Sequence, residues 1–181
     1  MIKRILFFSC LTMITSNLFG QGAERIMGPI IKDFGPVFRV ENPDFKTDTT
    51  KDYKVVFDIY NTPEDPTKVN PMLNTLARFL NMHAGAGVPI EQLHIAGVVH
   101  NKATHDVLDN VGYRAKYGVD NPNLPLLVAL EAAGVAVYIC GQSISARGVD
   151  RTEIHKSVGV GLSAMTIILS LQSDGYQLIK F

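Results

Sequence analysis

The chain has only two cysteines among its 181 residues, and its acidic and basic side chains balance to a net charge of zero. With no surplus of positive charge and no basic patch interleaved with aromatics, it carries no footprint for nucleic acid. No internal repeat or low-complexity run is present, and no apolar run is long enough to span a bilayer. His94, His100 and His105 do not stand at metal-ligand spacings and no second cysteine joins them, so no metal is expected. The loop Asn61-Thr62-Pro63-Glu64-Asp65-Pro66 lacks glycine and carries two prolines and two acids. A phosphate cradle needs free backbone N–H groups at such a turn, so neither a flavin nor a nucleotide cofactor is expected. What remains is one domain, long enough to bury a sizeable core.

The first residues follow the pattern of an export signal. Met1-Ile2-Lys3-Arg4 is basic, Ile5 to Ile14 is apolar, and the stretch to Gly22 is small and polar. This predicts a signal peptide over residues 1–22, and with it an exported, periplasmic protein. Only five residues separate Arg4 from Cys10, too few for a lipoprotein signal, so Cys10 is expected to leave with the leader. Losing Lys3 and Arg4 would leave 15 basic against 17 acidic residues. The mature chain would then hold one thiol, Cys140. A leftover cysteine in an exported protein points either to pairing between molecules or to reactivity.

Cys140 ends the run Val135-Ala136-Val137-Tyr138-Ile139-Cys140, which reads as a strand covered on both faces. Gly141 lets the backbone turn, and Gln142 and Ser143 open the next element. Chemistry in parallel α/β sheets gathers at the carboxyl ends of strands, and a thiol at a helix N-terminus tends towards thiolate. The other reading is a small buried hydrophobe finishing a strand. His100 ends its own strand in the same way and could tune the thiol or be structural. Arg147 and His155, in the crossover beyond, could lower the thiol's pKa or be ordinary surface charges.

Residues 23–52 are punctuated by Gly28-Pro29, Gly35-Pro36 and Asn42-Pro43, and read as a non-globular arm docking on the core or on a neighbouring subunit. Tyr53 to Tyr60 and Gln92 to His100 are predicted strands, with His94 structural within the second. Asn70-Pro71 predicts a helix start, and Met72, Leu73, Leu76, Ala77, Leu80 and Ala84 its buried face. Asn74, Arg78 and Asn81 make a polar stripe, read as a solvated face; the sharper alternative has Arg78 holding an anion or a second subunit. Further helices are expected after Asn121 and after Ser163, strands at Val158 to Leu162 and Tyr176 to Phe181, and a sheet of about five strands.

Tyr53-Lys54-Val55-Val56-Phe57-Asp58-Ile59, Arg78-Phe79-Leu80-Asn81-Met82-His83, Val98-Val99-His100, Asn121-Pro122-Asn123, Cys140-Gly141-Gln142-Ser143 and Leu162-Ser163-Ala164-Met165 together resemble the DsrE/DsrF-like family. The resemblance runs from Tyr53 to Phe181, and its most specific part is the strand-ending cysteine followed by Gly-Gln-Ser. It implies a flavodoxin-like three-layer sandwich with a mainly parallel sheet, and homo-oligomers, often trimers or hexamers. In the family's sulfur-relay branch a cysteine matching Cys140 carries a persulfide. The resemblance thus implies a sulfur carrier, sulfurtransferase-like at most, with sulfane-sulfur donor and acceptor proteins as partners. The relay members work in the cytoplasm, whereas this chain carries an export signal.

Three functions of different classes are therefore in play. The first is sulfur handling at Cys140, tuned by His100, Arg147 or His155. The second is a non-catalytic oligomeric binding or assembly module. The third, a cysteine hydrolase with a histidine base, ranks last because no third residue stands out to orient the base.

Overall fold

The computed structural model describes residues 24–180. The predicted signal peptide over 1–22, with Cys10, lies outside them. The arm is not wholly irregular: β1 (Arg25–Ile26) and β2 (Val37–Phe38) form a two-stranded antiparallel ladder. The domain then runs β3 (Tyr53–Ile59), α1 (Pro71–Gly85), β4 (Leu93–Val99), α2 (Asn110–Tyr117), α3 (Leu124–Ala132), β5 (Ala136–Cys140), α4 (Gly141–Ala146), β6 (Val158–Gly161), α5 (Ala164–Ser173) and β7 (Gln177–Ile179). A 3-10 turn over Asn101–Val107 follows β4.

The local chemistry explains the element boundaries. Asn70 caps α1 by accepting the Met72 N–H at 2.8 Å, and Pro71 takes the first helical position, where a missing N–H costs nothing. Asp109 caps α2 through the Gly112 N–H at 2.8 Å, and Gly118 closes it with a φ of 74°. Ser163 caps α5 through the Thr166 N–H at 3.0 Å.

The five domain strands form one all-parallel sheet in the order β6-β5-β4-β3-β7. From β3 to β6 the chain steps one strand at a time in one direction. It then returns through α5 to lay β7 against β3, at the far edge. Right-handed crossovers in both directions put α1 and α3 on one face and α5 on the other. The result is a three-layer α/β sandwich.

The two faces are filled differently. Under α1 and α3, Val55, Phe57, Ile59, Leu73, Leu76, Leu80, Val99, Leu127, Leu130 and Ile139 belong to one large buried cluster. Under α5 the buried set is small: Val56, Ala96, Val98, Cys140 and Ala164. The arm docks on the large-core side, with Ile31 buried in that cluster and Ile30 and Phe34 packed against it.

The expected solvated stripe on α1 holds at Arg78, which is exposed, but not at Asn81 and only partly at Asn74. Asn81 is fully buried. Its amide oxygen accepts the N–H groups of Ile30 (3.3 Å) and Ile31 (2.9 Å). Its amide nitrogen donates to the carbonyls of Ile31, Phe34 and Gly35 at 2.9–3.1 Å. Asn74 accepts the Gly35 N–H at 2.8 Å. A chain segment without regular structure must place its backbone polar groups somewhere, and two asparagines of α1 supply the partners. Gly28 is required as well, because a Cβ there would sit 1.8 Å from the Asn81 side chain. His94, expected inside its strand, instead stands partly exposed 3.8 Å from Asp52.

Candidate functional site

Cys140 is the last residue of β5 and the residue immediately before α4. It is only 5% exposed. Burial pushes the thiol's pKa up, but hydrogen bonds from the Ser143 hydroxyl and from the N–H groups of Ser143, Ala164 and Gln142 outweigh it and leave the thiol below its ordinary value. Three donors come from the turn that begins at Gly141 and one from the start of α5, so two elements converge on the sulfur. Gly141 makes this approach feasible: a Cβ there would lie 2.7 Å from the Gly161 carbonyl oxygen at the end of β6. Gln142 reaches across the same seam, its amide donating to the Leu162 carbonyl at 3.4 Å.

Parallel register sets the neighbours. Val99 pairs with Ile139, so His100 and Cys140 follow one step beyond on adjacent strands. The His100 backbone stays extended and its N–H donates to the Ile59 carbonyl at 2.9 Å, continuing the ladder. Alternation along the strands then puts Asp58, His100 and Cys140 on the α5 face, with neighbouring strands about 4.8 Å apart. The His100 ring is turned away from β5: its Nε2 lies 2.6 Å from Asp58 Oδ1. Asp58 is 7% exposed and its other oxygen meets Lys180 Nζ at 3.0 Å. The hydrogen bond to Asp58, together with its charge, raises the Lys180 pKa. Asp58 was missed as a site residue, although a carboxylate inside Val55-Val56-Phe57-Asp58-Ile59 is the kind of break in an apolar run that marks a partnered charge.

The other expected residues fall differently. Ser143 joins the sulfur to a second chain of contacts: its hydroxyl accepts the Asn101 N–H at 3.1 Å, and Arg147 donates to the Asn101 side-chain oxygen at 2.9 Å. Asn101 holds a φ of 53°, a conformation asparagine tolerates better than most residues. Arg147 therefore reaches Asn101, not the thiol. His155 pairs with Ser157 at 2.7 Å and is not among the groups that shift the thiol. Arg78 is exposed on α1, its backbone N–H side lying under Gly35 of the arm, and it is not among the groups that shift the thiol.

Sequence reasoning also passed over a buried polar network beside the carboxyl ends of β3 and β4. Asp106 is buried, accepting from Thr62 at 2.8 Å and from Asn70 at 2.6 Å. Asn123 accepts the Asn70 N–H at 2.7 Å, and Asn121 donates to the carbonyls of Asp106 and Leu108. Burial raises the Asp106 carboxyl to about 6 against the two side-chain hydrogen bonds. Asn121-Pro122-Asn123 read as a helix opener, and its amides in fact tie three loops together. Among the described residues no group of three or more His, Cys, Asp or Glu side chains comes together as a metal site, and no helix there is long and apolar enough to cross a membrane.

Two cavities accompany these elements. One of about 190 Å³ is lined by Phe57, Asp58, Ile59, Met72, Thr75 and Ile179, and another of about 240 Å³ opens near His105 and Arg147. Neither is lined by Cys140.

Comparison with known proteins fits this architecture. A protein of unknown function, MTH1491 from Methanobacterium thermoautotrophicum, is 23% identical with a TM-score of 0.54, over 72% of this chain and 100% of its own. The ychN protein from E. coli is 16% identical with a TM-score of 0.52, over 71% of this chain and 99% of its own. Both likenesses establish the fold alone. No curated protein matches. The sequence model of the DsrE/DsrF-like family matches residues 54–181, the whole α/β unit including Cys140 and the strands that frame it, and the chain belongs to that family.

Proposed function

We propose that this protein handles sulfane sulfur, with Cys140 as the thiol that takes up and passes on a sulfur atom. The observation that carries the reading is a buried thiol at a strand's carboxyl end, directly ahead of α4, whose pKa is held below its ordinary value by polar groups of the Gly141 turn and the start of α5. Such groups stabilise a thiolate, which is the nucleophile in sulfur exchange. With thiosulfate as donor, the Cys140 thiolate attacks the outer sulfur. The bond to the sulfite sulfur breaks, its electron pair leaves with sulfite, and Cys140 is left as a persulfide anion. An acceptor thiolate then attacks the terminal sulfur and releases the Cys140 thiolate. Each step conserves charge and needs no outside oxidant. The same donors that hold the thiolate would hold the persulfide's inner sulfur, while His100, kept in one orientation by Asp58, stands beside it in the sheet.

The reading extends to an exported protein working as a homo-oligomer, a trimer or hexamer. Leu162, Met165 and Leu169 support the second part: they are 71%, 74% and 65% exposed, Leu162 just ahead of α5 and the other two on the helix itself. A binding or assembly role without chemistry is the competing reading, favoured by the 5% exposure of Cys140.

The test is the intact mass of the protein after incubation with thiosulfate or a polysulfide. A gain of one sulfur atom on the wild type, absent from a folded Cys140→Ser variant and reversed by dithiothreitol, is the expected result. No gain, with the oligomer intact, would leave the assembly reading standing alone.

A further inference from the structure

The cavity of about 240 Å³ is lined by His105, Leu108, Gly112, Lys116, Arg147 and Glu153, among others. It lies at the far end of α4 from Cys140, so it is not the sulfur's own surroundings. Its cations are short of counter-charges. Among the described residues, no carboxylate lies within ion-pair distance of Lys116 or Arg147. Glu153 also lines the cavity; its carboxylate accepts the Asp150 N–H at 3.3 Å in a capping box and forms no ion pair with either cation. Arg147 spends one N–H on Asn101, leaving the rest of its five-donor fork free.

His105 supplies the independent observation. The residue is only 8% exposed, yet among the described residues neither ring nitrogen has a hydrogen-bond partner, and it lines this cavity. The ring nitrogens are not among the buried unpartnered atoms, so they open to the solvent side of this concave, cationic space, where the ring N–H is available to an acceptor that enters it. The Tyr117 ring fixes its plane by an edge-to-face contact at 6.0 Å. We infer that this cavity is a binding site for a small oxyanion, held by Lys116 and Arg147 and accepting a hydrogen bond from His105.

The size supports that class of ligand. The cavity is below the range that encloses drug-sized molecules, and room for an ion of a few heavy atoms is what it offers. An arginine fork and a lysine point charge are the pair that proteins turn on sulfate- and phosphate-type groups. Without an anion, the ring feels burial first and then the fields of Lys116 and Arg147, which together bring its pKa down to about 4. An anion seated between them would cancel those two fields. The site goes beyond sulfur chemistry at Cys140 and does not depend on it.

The experiment is a titration of the mature chain with sulfate, phosphate and thiosulfate at matched ionic strength in chloride, read by the NMR signals of the His105 ring nitrogens. Saturable shifts are expected, with the His105 pKa rising on saturation. Lys116→Gln and Arg147→Gln should each weaken binding by about tenfold or more, the loss of one charge-assisted hydrogen bond. Repeating the thiosulfate arm on Cys140→Ser separates the sites, since binding here should persist without the thiol. Absence of a saturable response to all three anions would overturn the inference. So would an affinity unchanged in both folded variants, or thiosulfate as the sole ligand, with its signal vanishing in Cys140→Ser.

Discussion

The two faces of the central sheet are built on opposite principles. Beneath α1 and α3 the sheet meets large aliphatic side chains, and the polar groups there are buried asparagines whose partners are mainly backbone atoms. Beneath α5 the buried layer is thin, made of valines, alanines and one cysteine. Its strands include Gly159 and Gly161, where a Cβ would run into Tyr138 and Ile167 at 2.8 Å or less. The first face holds the domain together and anchors the arm. The second brings a helix close to the sheet and places Cys140, Asp58 and His100 at its mouth. The bulk of the core and the proposed site are thus divided between the layers.

Breaking the stabilising face should cost most. Asn81→Ala removes a side chain that makes five hydrogen bonds to the arm and strands those backbone groups in a buried site. A loss of about 3 kcal/mol or more in urea unfolding is expected, with proteolysis starting in residues 24–40. If the loss is under about 1 kcal/mol, the arm is not held by this helix.

A smaller effect, of opposite sign, is expected at Asp106. Its carboxyl titrates at about 6 in the folded protein against 3.8 as the reference. The folded state therefore binds its proton more tightly than the unfolded chain. That contribution to stability is complete below pH 3.8 and is lost as pH rises through about 6. A carboxamide in place of this carboxyl could still accept from Asn70 and donate to Thr62. Asp106→Asn should accordingly stabilise the protein at pH 7 by about 1 kcal/mol and give no gain at pH 4. A gain that does not change with pH would contradict the assignment.

On the chemical face, Ser143→Ala removes one donor from the Cys140 sulfur. The pH midpoint for alkylation by iodoacetamide should move upward and the rate at pH 7 should fall severalfold, while unfolding free energy changes little. An unmoved midpoint would mean that the hydroxyl does not hold the thiolate. The least effect on the monomer should come from Leu169→Ser, within about 0.5 kcal/mol, because the side chain is 65% exposed. Its consequence belongs to assembly: sedimentation should show a smaller oligomer. A variant that keeps its oligomer would remove α5 from the proposed interface.

The sheet and the position of Cys140 could be read from the chain because their signals are local. Apolar runs of strand length, Asn70-Pro71 and the break at Cys140-Gly141 each act within a few residues. Asn81 could not be read that way. Its partners lie 46 to 51 residues earlier, in a segment with no periodicity of its own. A faint signal was present: Asn81 falls four residues after Ala77 and three before Ala84, both on the apolar stripe, so a solvated role fitted it poorly. Asp58 gave a clearer sign, as a charge within a buried strand, but its partner His100 sits on the next strand and only register brings them together. Arg147 shows the converse failure. Nearness in sequence to Cys140 suggested contact, whereas the turn of α4 carries the guanidinium to Asn101.

The grip of Asn81 on the arm bears on where the domain can be cut. The family-matched stretch begins at residue 54, so a fragment trimmed to it would leave out every group that the amide grasps. Such a fragment would present a bare carboxamide and the empty bed of Ile31 to solvent. A fragment that keeps every partner of Asn81 has to begin upstream of Ile30, more than twenty residues ahead of the matched boundary.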